Sequence, residues 1–192
     1  MKNWLRSFCG IYILAGLTLA LTGCQTQSLV VSTPRLKQLS DAVQKNPTNA
    51  NNVAELGFAW VMVGEDQRAR ACFARAIQLS PEDWHTFETI GWAYVNLNVP
   101  KEALTAFQKA AKFDKTPIDE ARDHHHVLAI GYWINGDKVA ALKEYDLVAT
   151  KYPDDFAAWD KVIKHCESYT WTEKKIMYQI FDAWDRGYRL DK

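Results

Sequence analysis

Between Ala50 and Asp155 the chain repeats itself, and the period leaves few folds open. Gly57, Trp60, Ala69, Phe73, Ala76 and Pro81 return 34 residues later as Gly91, Tyr94, Ala103, Phe107, Ala110 and, displaced by two, Pro117. A third copy follows after four extra residues, with Ala129, Tyr132, Gly136, Ala141, Tyr145, Val148 and Pro153. Units of this length bury their apolar faces only against one another, so they stack into an all-α solenoid. The copies span 50–83, 84–117 and 122–155. Each predicts a helix A of about 14 residues, a turn, and an antiparallel helix B. Gly64 and Gly136 mark the turn in the first and third copies, and Asn98 with Pro100 does so in the second. Close packing accounts for the small residues. Gly57, Gly91 and Ala129 let helices A and B cross closely, and Trp60, Tyr94 and Tyr132 fill the space beside them. Ala69, Ala103 and Ala141 bring helix B onto its own helix A, while Ala76 and Ala110 bring it onto the next repeat.

The flanks complete the stack. Leu36, Leu39, Ala42 and Val43 share one helical face, which predicts a half-repeat over 34–46 that covers the first full repeat. Ser32 or Thr33 is its expected cap and Pro34 its first residue, with Asn46-Pro47 as the stop. Residues 118–121 are an insertion that extends the third repeat's first helix, with Thr116 as cap. Phe156 to Glu167 suits helix A of a fourth unit. Its helix B departs from the pattern, because Ile176, Met177, Ile180, Phe181, Trp184 and Tyr188 make a broad apolar stripe instead. Thr172 is the expected N-cap there, with Glu173 in the first turn. A solenoid needs an atypical end unit, so 156–190 reads as a C-terminal cap.

The period and its aromatic, small and proline positions resemble the tetratricopeptide repeat (TPR) family. The layout as a whole resembles small TPR lipoproteins of the bacterial envelope, relatives of which assist pilus assembly, outer-membrane protein assembly or cell-wall enzyme recruitment. No residue here selects among those roles. The resemblance implies peptide binding in a concave groove lined by helix A, at the second, fifth, ninth, twelfth and thirteenth positions of each repeat. Carried over, these are Asn51, Ala54, Phe58, Val61 and Met62; then His85, Glu88, Trp92, Val95 and Asn96; then Asp123, His126, Ile130, Trp133 and Ile134. Such a groove is apolar and aromatic with a mildly acidic, histidine-bearing rim. It lacks the basic residues with which chaperone-binding members grip a C-terminal carboxylate. Trp92 and Trp133 are not required by the scaffold, and two readings of them stand side by side: anchors for a partner, or self-burial under the C-terminal helix.

The start of the chain reads as an address. Lys2 and Arg6 precede an uncharged, mostly apolar run of 14 residues from Phe8 to Leu21. That is shorter than the roughly 20 residues a bilayer-spanning helix needs. Leu21-Thr22-Gly23-Cys24 resembles the bacterial lipobox, which implies cleavage after residue 23 and lipidation of Cys24. An ordinary secretory signal or an uncleaved anchor is the alternative. Gln25 in place of Asp favours, by the same resemblance, release to the outer membrane. Residues 24–33 then form a tether, and 34–192 the TPR domain. Of the four cysteines, Cys9 leaves with the signal and Cys24 is lipidated. Cys72 and Cys166 are expected as buried or half-buried thiols, with a disulfide between them as the alternative.

Charge and motifs exclude other classes. The formal net charge is zero, and without residues 1–23 there are 21 basic against 23 acidic side chains, so nucleic acid is not an expected partner. Adjacent residues on a helix point about 100° apart, so His124, His125 and His126 do not converge on one metal ion. No HExxH, CxxC, GxSxG, P-loop or Gly-rich dinucleotide turn occurs. The sequence therefore predicts no enzyme, cofactor or metal. The leading expectation is a lipid-anchored adaptor that holds a protein or peptide in its groove at the envelope. The alternative is a structural subunit of an envelope assembly using surfaces outside the groove.

Overall fold

The computed structural model describes residues 26–115 and 122–188, and among them every regular element is helical. Helix α1 spans Thr26–Lys45, and three antiparallel pairs follow: α2 Ala50–Met62 with α3 Asp66–Leu79, α4 Trp84–Asn96 with α5 Pro100–Phe113, and α6 Arg122–Ile134 with α7 Lys138–Lys151. The chain closes with α8 Pro153–Phe156, α9 Trp159–His165, α10 Trp171–Ala183 and a π-helical turn, Trp184–Tyr188.

The pairs are alike down to single hydrogen bonds. Each helix A ends in a left-handed residue: Gly64 at φ 78°, Asn98 at φ 56° and Gly136 at φ 85°. The next residue's N–H returns to the carbonyl of the repeat's aromatic position: Glu65 to Trp60 at 2.9 Å, Val99 to Tyr94 at 3.0 Å, and Asp137 to Tyr132 at 3.1 Å. The left-handed residue itself donates to the carbonyl three before it, which makes each turn a Schellman motif. Asn tolerates this conformation better than other residues with a side chain, and so replaces Gly in the second copy. Asn49 caps α2 by accepting from Asn52 N–H at 2.9 Å, and Asp83 caps α4 by accepting from Thr86 N–H at 3.0 Å.

Inside each pair the expected small residues meet rings. A Cβ built on Gly57 would lie 2.5 Å from the Phe73 ring, and one on Gly91 would lie 2.4 Å from the Phe107 ring. Ala69, Ala76, Ala103, Ala110, Ala129 and Ala141 are fully buried. The largest core cluster joins Phe107, Val127, Ile130 and Tyr145 to Phe156, Val162, Met177, Ile180 and Trp184, so the C-terminal unit is continuous with the third repeat. Cys72 is half-buried and Cys166 buried; both are free thiols. Burial pushes the Cys166 thiol up to about 12.

Four expectations are corrected. Residues from Thr26 onward, expected as a tether, are helical, and Pro34 sits inside α1 instead of at its first position. Proline there forfeits one backbone bond, and α1 packs on α2. The helix expected over 156–167 is broken at Ala157–Ala158, with Ala158 extended at φ −143°, ψ 144°. The buried Tyr145 hydroxyl donates to the Phe156 carbonyl at 2.9 Å and takes the acceptor a continuing helix would use. The cap of α10 is Thr170 and not Thr172: Thr170 Oγ1 accepts from Glu173 N–H, and Glu173 Oε2 accepts from Thr170 N–H at 2.8 Å. Such a capping box requires three residues of separation, which Thr170 has and Thr172 lacks. The signal segment, Cys24, and the Thr116–Ala121 connection lie outside the described residues.

Candidate concave site and its cover

The concave face divides into a covered part and an open part. Over the second and third repeats, residues just before and within α10 lie across helices α4 and α6. Thr170 Oγ1 donates to Asn96 Oδ1 at 3.1 Å, and Asn96 Nδ2 donates to Glu173 Oε1 at 2.6 Å. The Tyr169 ring packs edge-on to Trp92 with centroids 4.7 Å apart. The Tyr169 hydroxyl is hydrogen-bonded to His126 Nε2. Trp133 Nε1 donates to Gln179 Oε1 at 3.1 Å, while Lys138 Nζ sits 3.4 Å from the centre of its indole.

The predicted groove residues therefore have different fates. Val61, Val95, His126 and Ile130 are buried and offer no surface to a partner. Val61 packs with Ile90 and Ala93 between successive A helices, and Ile130 joins the core beneath α10. Asn51 accepts from the Thr86 hydroxyl at 3.1 Å and Ala54 is fully buried, so both serve contacts between repeats. Trp133 and Ile134 pack at the edge of the covered part. Met62 is exposed at the end of α2, and exposed His85 stacks on Trp84 with ring centres 3.5 Å apart. The Asp123 side chain is outside the described residues.

Phe58 and Trp92 remain together. With Glu55, Thr89, Ser168, Tyr169 and Glu173 they line a hollow of about 180 Å³ at the junction of the first two repeats. Trp92 Nε1 donates to Glu88 Oε1 at 3.4 Å, which puts a second carboxylate beside the indole. Glu55, Thr89, Tyr169 and Glu173 escaped the positional pattern, because two come from the cap and the others stand one position away from the carried-over set. The Thr170-x-x-Glu173 spacing was the one local signal for the cap residues.

The three adjacent histidines go to three partners. His124 Nε2 meets Asp114 Oδ2 at 2.6 Å, His125 Nδ1 meets Glu144 Oε2 at 2.7 Å, and His126 meets Tyr169. Each joins a different pair of segments.

Burial pushes the Glu173 carboxyl above its ordinary value of 4.5, against the lowering effect of its bonds to Thr170 and Asn96. A raised folded value means that the protonated form is the one folding favours. Its contribution is complete below 4.5 and is lost as pH rises through the raised value. The melting temperature of wild type relative to Glu173→Gln is therefore expected to fall as pH rises above 4.5. A difference that stays flat as pH rises would remove Glu173 as a titrating contributor.

Two crystal structures of MamA are similar to this chain. One gives a TM-score of 0.52 at 14% identity, covering 94% of this chain and 98% of that one. The other gives 0.50 at 14% identity, covering 82% and 88%. The fold is a TPR-type solenoid. At this identity the likeness is one of fold alone. No family model matches the sequence, and no curated protein is similar to it.

Proposed function

We propose that this protein is a lipid-anchored TPR adaptor, held through Cys24 in the outer membrane and facing the periplasm, which binds a protein or peptide segment without catalysing a reaction. The observation that carries it is the division of the concave face. The chain covers its own groove over the second and third repeats yet leaves an aromatic hollow open between the first two. Solenoids present such concave surfaces to partners, and buried aromatic anchors are where binding energy concentrates. Neither the charge balance nor the hollow suits nucleic acid.

Thr89→Arg tests the groove, since it places a large side chain in the hollow without emptying the core. Partner crosslinking in intact envelopes is expected with wild type and lost in this variant, with both melting alike. Cys24→Ser is expected to move the protein from the membrane fraction to the soluble one.

A second reading has its own observation. Trp171 is 75% exposed and Tyr178 47% exposed on the outer side of α10, a pair seven residues apart and so on one helical face. A structural subunit docking there would be recovered equally with Thr89→Arg and lost with Trp171→Ala, Tyr178→Ala.

A further inference from the structure

The hollow between the first two repeats has a chemistry of its own. Among the described residues, those that line it include two carboxylates and three aromatic rings but no lysine or arginine. Glu55 and Phe58 stand one turn apart on α2 and so share a face. Across from them Trp92 carries the Glu88 carboxylate on its indole N–H, and Tyr169 closes the back. Rings flanked by carboxylates favour a cation, which the ring faces attract through their quadrupole and the carboxylates through charge. The chain already supplies one: Arg35 Nη2 of α1 reaches Glu55 Oε2 at 3.4 Å, with 58% of the arginine and 43% of the glutamate side chain exposed.

We infer that the hollow receives a lysine or arginine side chain from an extended segment of the partner protein, its cation set against Glu55 and the Trp92 ring, whose indole N–H holds the Glu88 carboxylate, and its stem along Phe58. The inference rests on the groove reading above and adds to it the partner's chemistry. Arg35 is then a competitor for Glu55, so its removal strengthens binding. Lysine and arginine both fit, because Glu55 and Glu173 line the hollow from two different helices and do not form one planar fork.

The test uses the full-length protein in detergent on an array of immobilised decapeptides that differ only in one central residue, with all twenty represented. Lysine and arginine peptides are expected to be retained, and aspartate and glutamate peptides rejected, with retention falling as salt is raised. Glu55→Gln is expected to weaken lysine-peptide retention about two- to fivefold, Glu55→Gln with Glu88→Gln about tenfold, and Arg35→Ala to strengthen it about two- to fivefold. Retention of apolar peptides with no preference for lysine or arginine would overturn this inference and leave the groove reading standing. An unchanged lysine preference in the folded double variant would overturn it as well. No retention of any peptide by folded wild type would overturn both.

Discussion

Gly91→Leu is expected to lower the melting temperature of the whole domain, at a cost of about 1–3 kcal/mol and roughly 2–10 °C. The cause is a single contact. A Cβ on Gly91 falls 2.4 Å from one carbon of the Phe107 ring and 2.5 Å from the next, and real Cβ atoms do not come so close. Phe107 is fully buried, so its ring has no solvent to move into. Even Gly91→Ala meets this wall. Two controls separate space from backbone conformation. Gly187 has open space around its Cβ position, and Gly187→Ala is expected to be nearly neutral. Gly136 also has space, but its φ of 85° strains any side chain, so Gly136→Ala costs about 1 kcal/mol through conformation alone. Combining Gly91→Ala with Phe107→Leu is expected to cost less than the sum of the two, because the smaller side chain relieves the clash. An unchanged melting temperature for Gly91→Leu would mean that α4 and α5 do not cross at this glycine.

The same glycine shows what the sequence could disclose. Its recurrence from Gly57 at a spacing of 34, with Phe73 and Phe107 keeping step, encodes a contact within one repeat. So do the left-handed turns at Gly64, Asn98 and Gly136, where residue type and backbone conformation are tied locally. Gly131 was less legible. Its Cβ position meets Leu104 at 3.0 Å and Phe107 at 3.2 Å, a contact with the previous repeat at a position where the other copies carry Ala59 and Ala93 and not glycine. The candidate site was legible in part, for a related reason. The resemblance, carried over on the repeat register, placed Phe58 and Trp92 on one face, but the chain that covers that face comes from far away in sequence. Asn96 and Glu173 are 77 residues apart, and Trp133 and Gln179 are 46 apart. No repeat pattern relates them. The break at Ala157–Ala158 was equally hidden, since it depends on a carbonyl held by Tyr145 from another helix.

Trp184→Ala carries the largest expected loss, about 3–5 kcal/mol, or roughly 6–20 °C for a domain of this size. Trp184 is 3% exposed, its ring centre is 5.5 Å from that of Tyr145, and its Nε1 donates to Asp146 Oδ1 at 3.0 Å. The alanine variant thus loses a large buried ring and a hydrogen bond to a buried carboxylate. Trp184→Phe keeps most of the ring and loses the N–H, so it is expected to fall between wild type and alanine. How the loss appears matters as much as its size. Met177, Ile180 and Trp184 share one core cluster with Phe107, Ile130 and Tyr145. The C-terminal unit and the repeats are therefore expected to melt together, with one midpoint by circular dichroism and by hydrogen exchange in α4 and α10. If Trp184→Ala instead left the main transition in place and freed α10 alone to exchange, the cover would be a detachable lid. Trp133 and the groove of the third repeat would then be open to a partner. A single lowered transition would make the cover part of the folded domain, so that within the concave face only the hollow shared by Phe58 and Trp92 stays open.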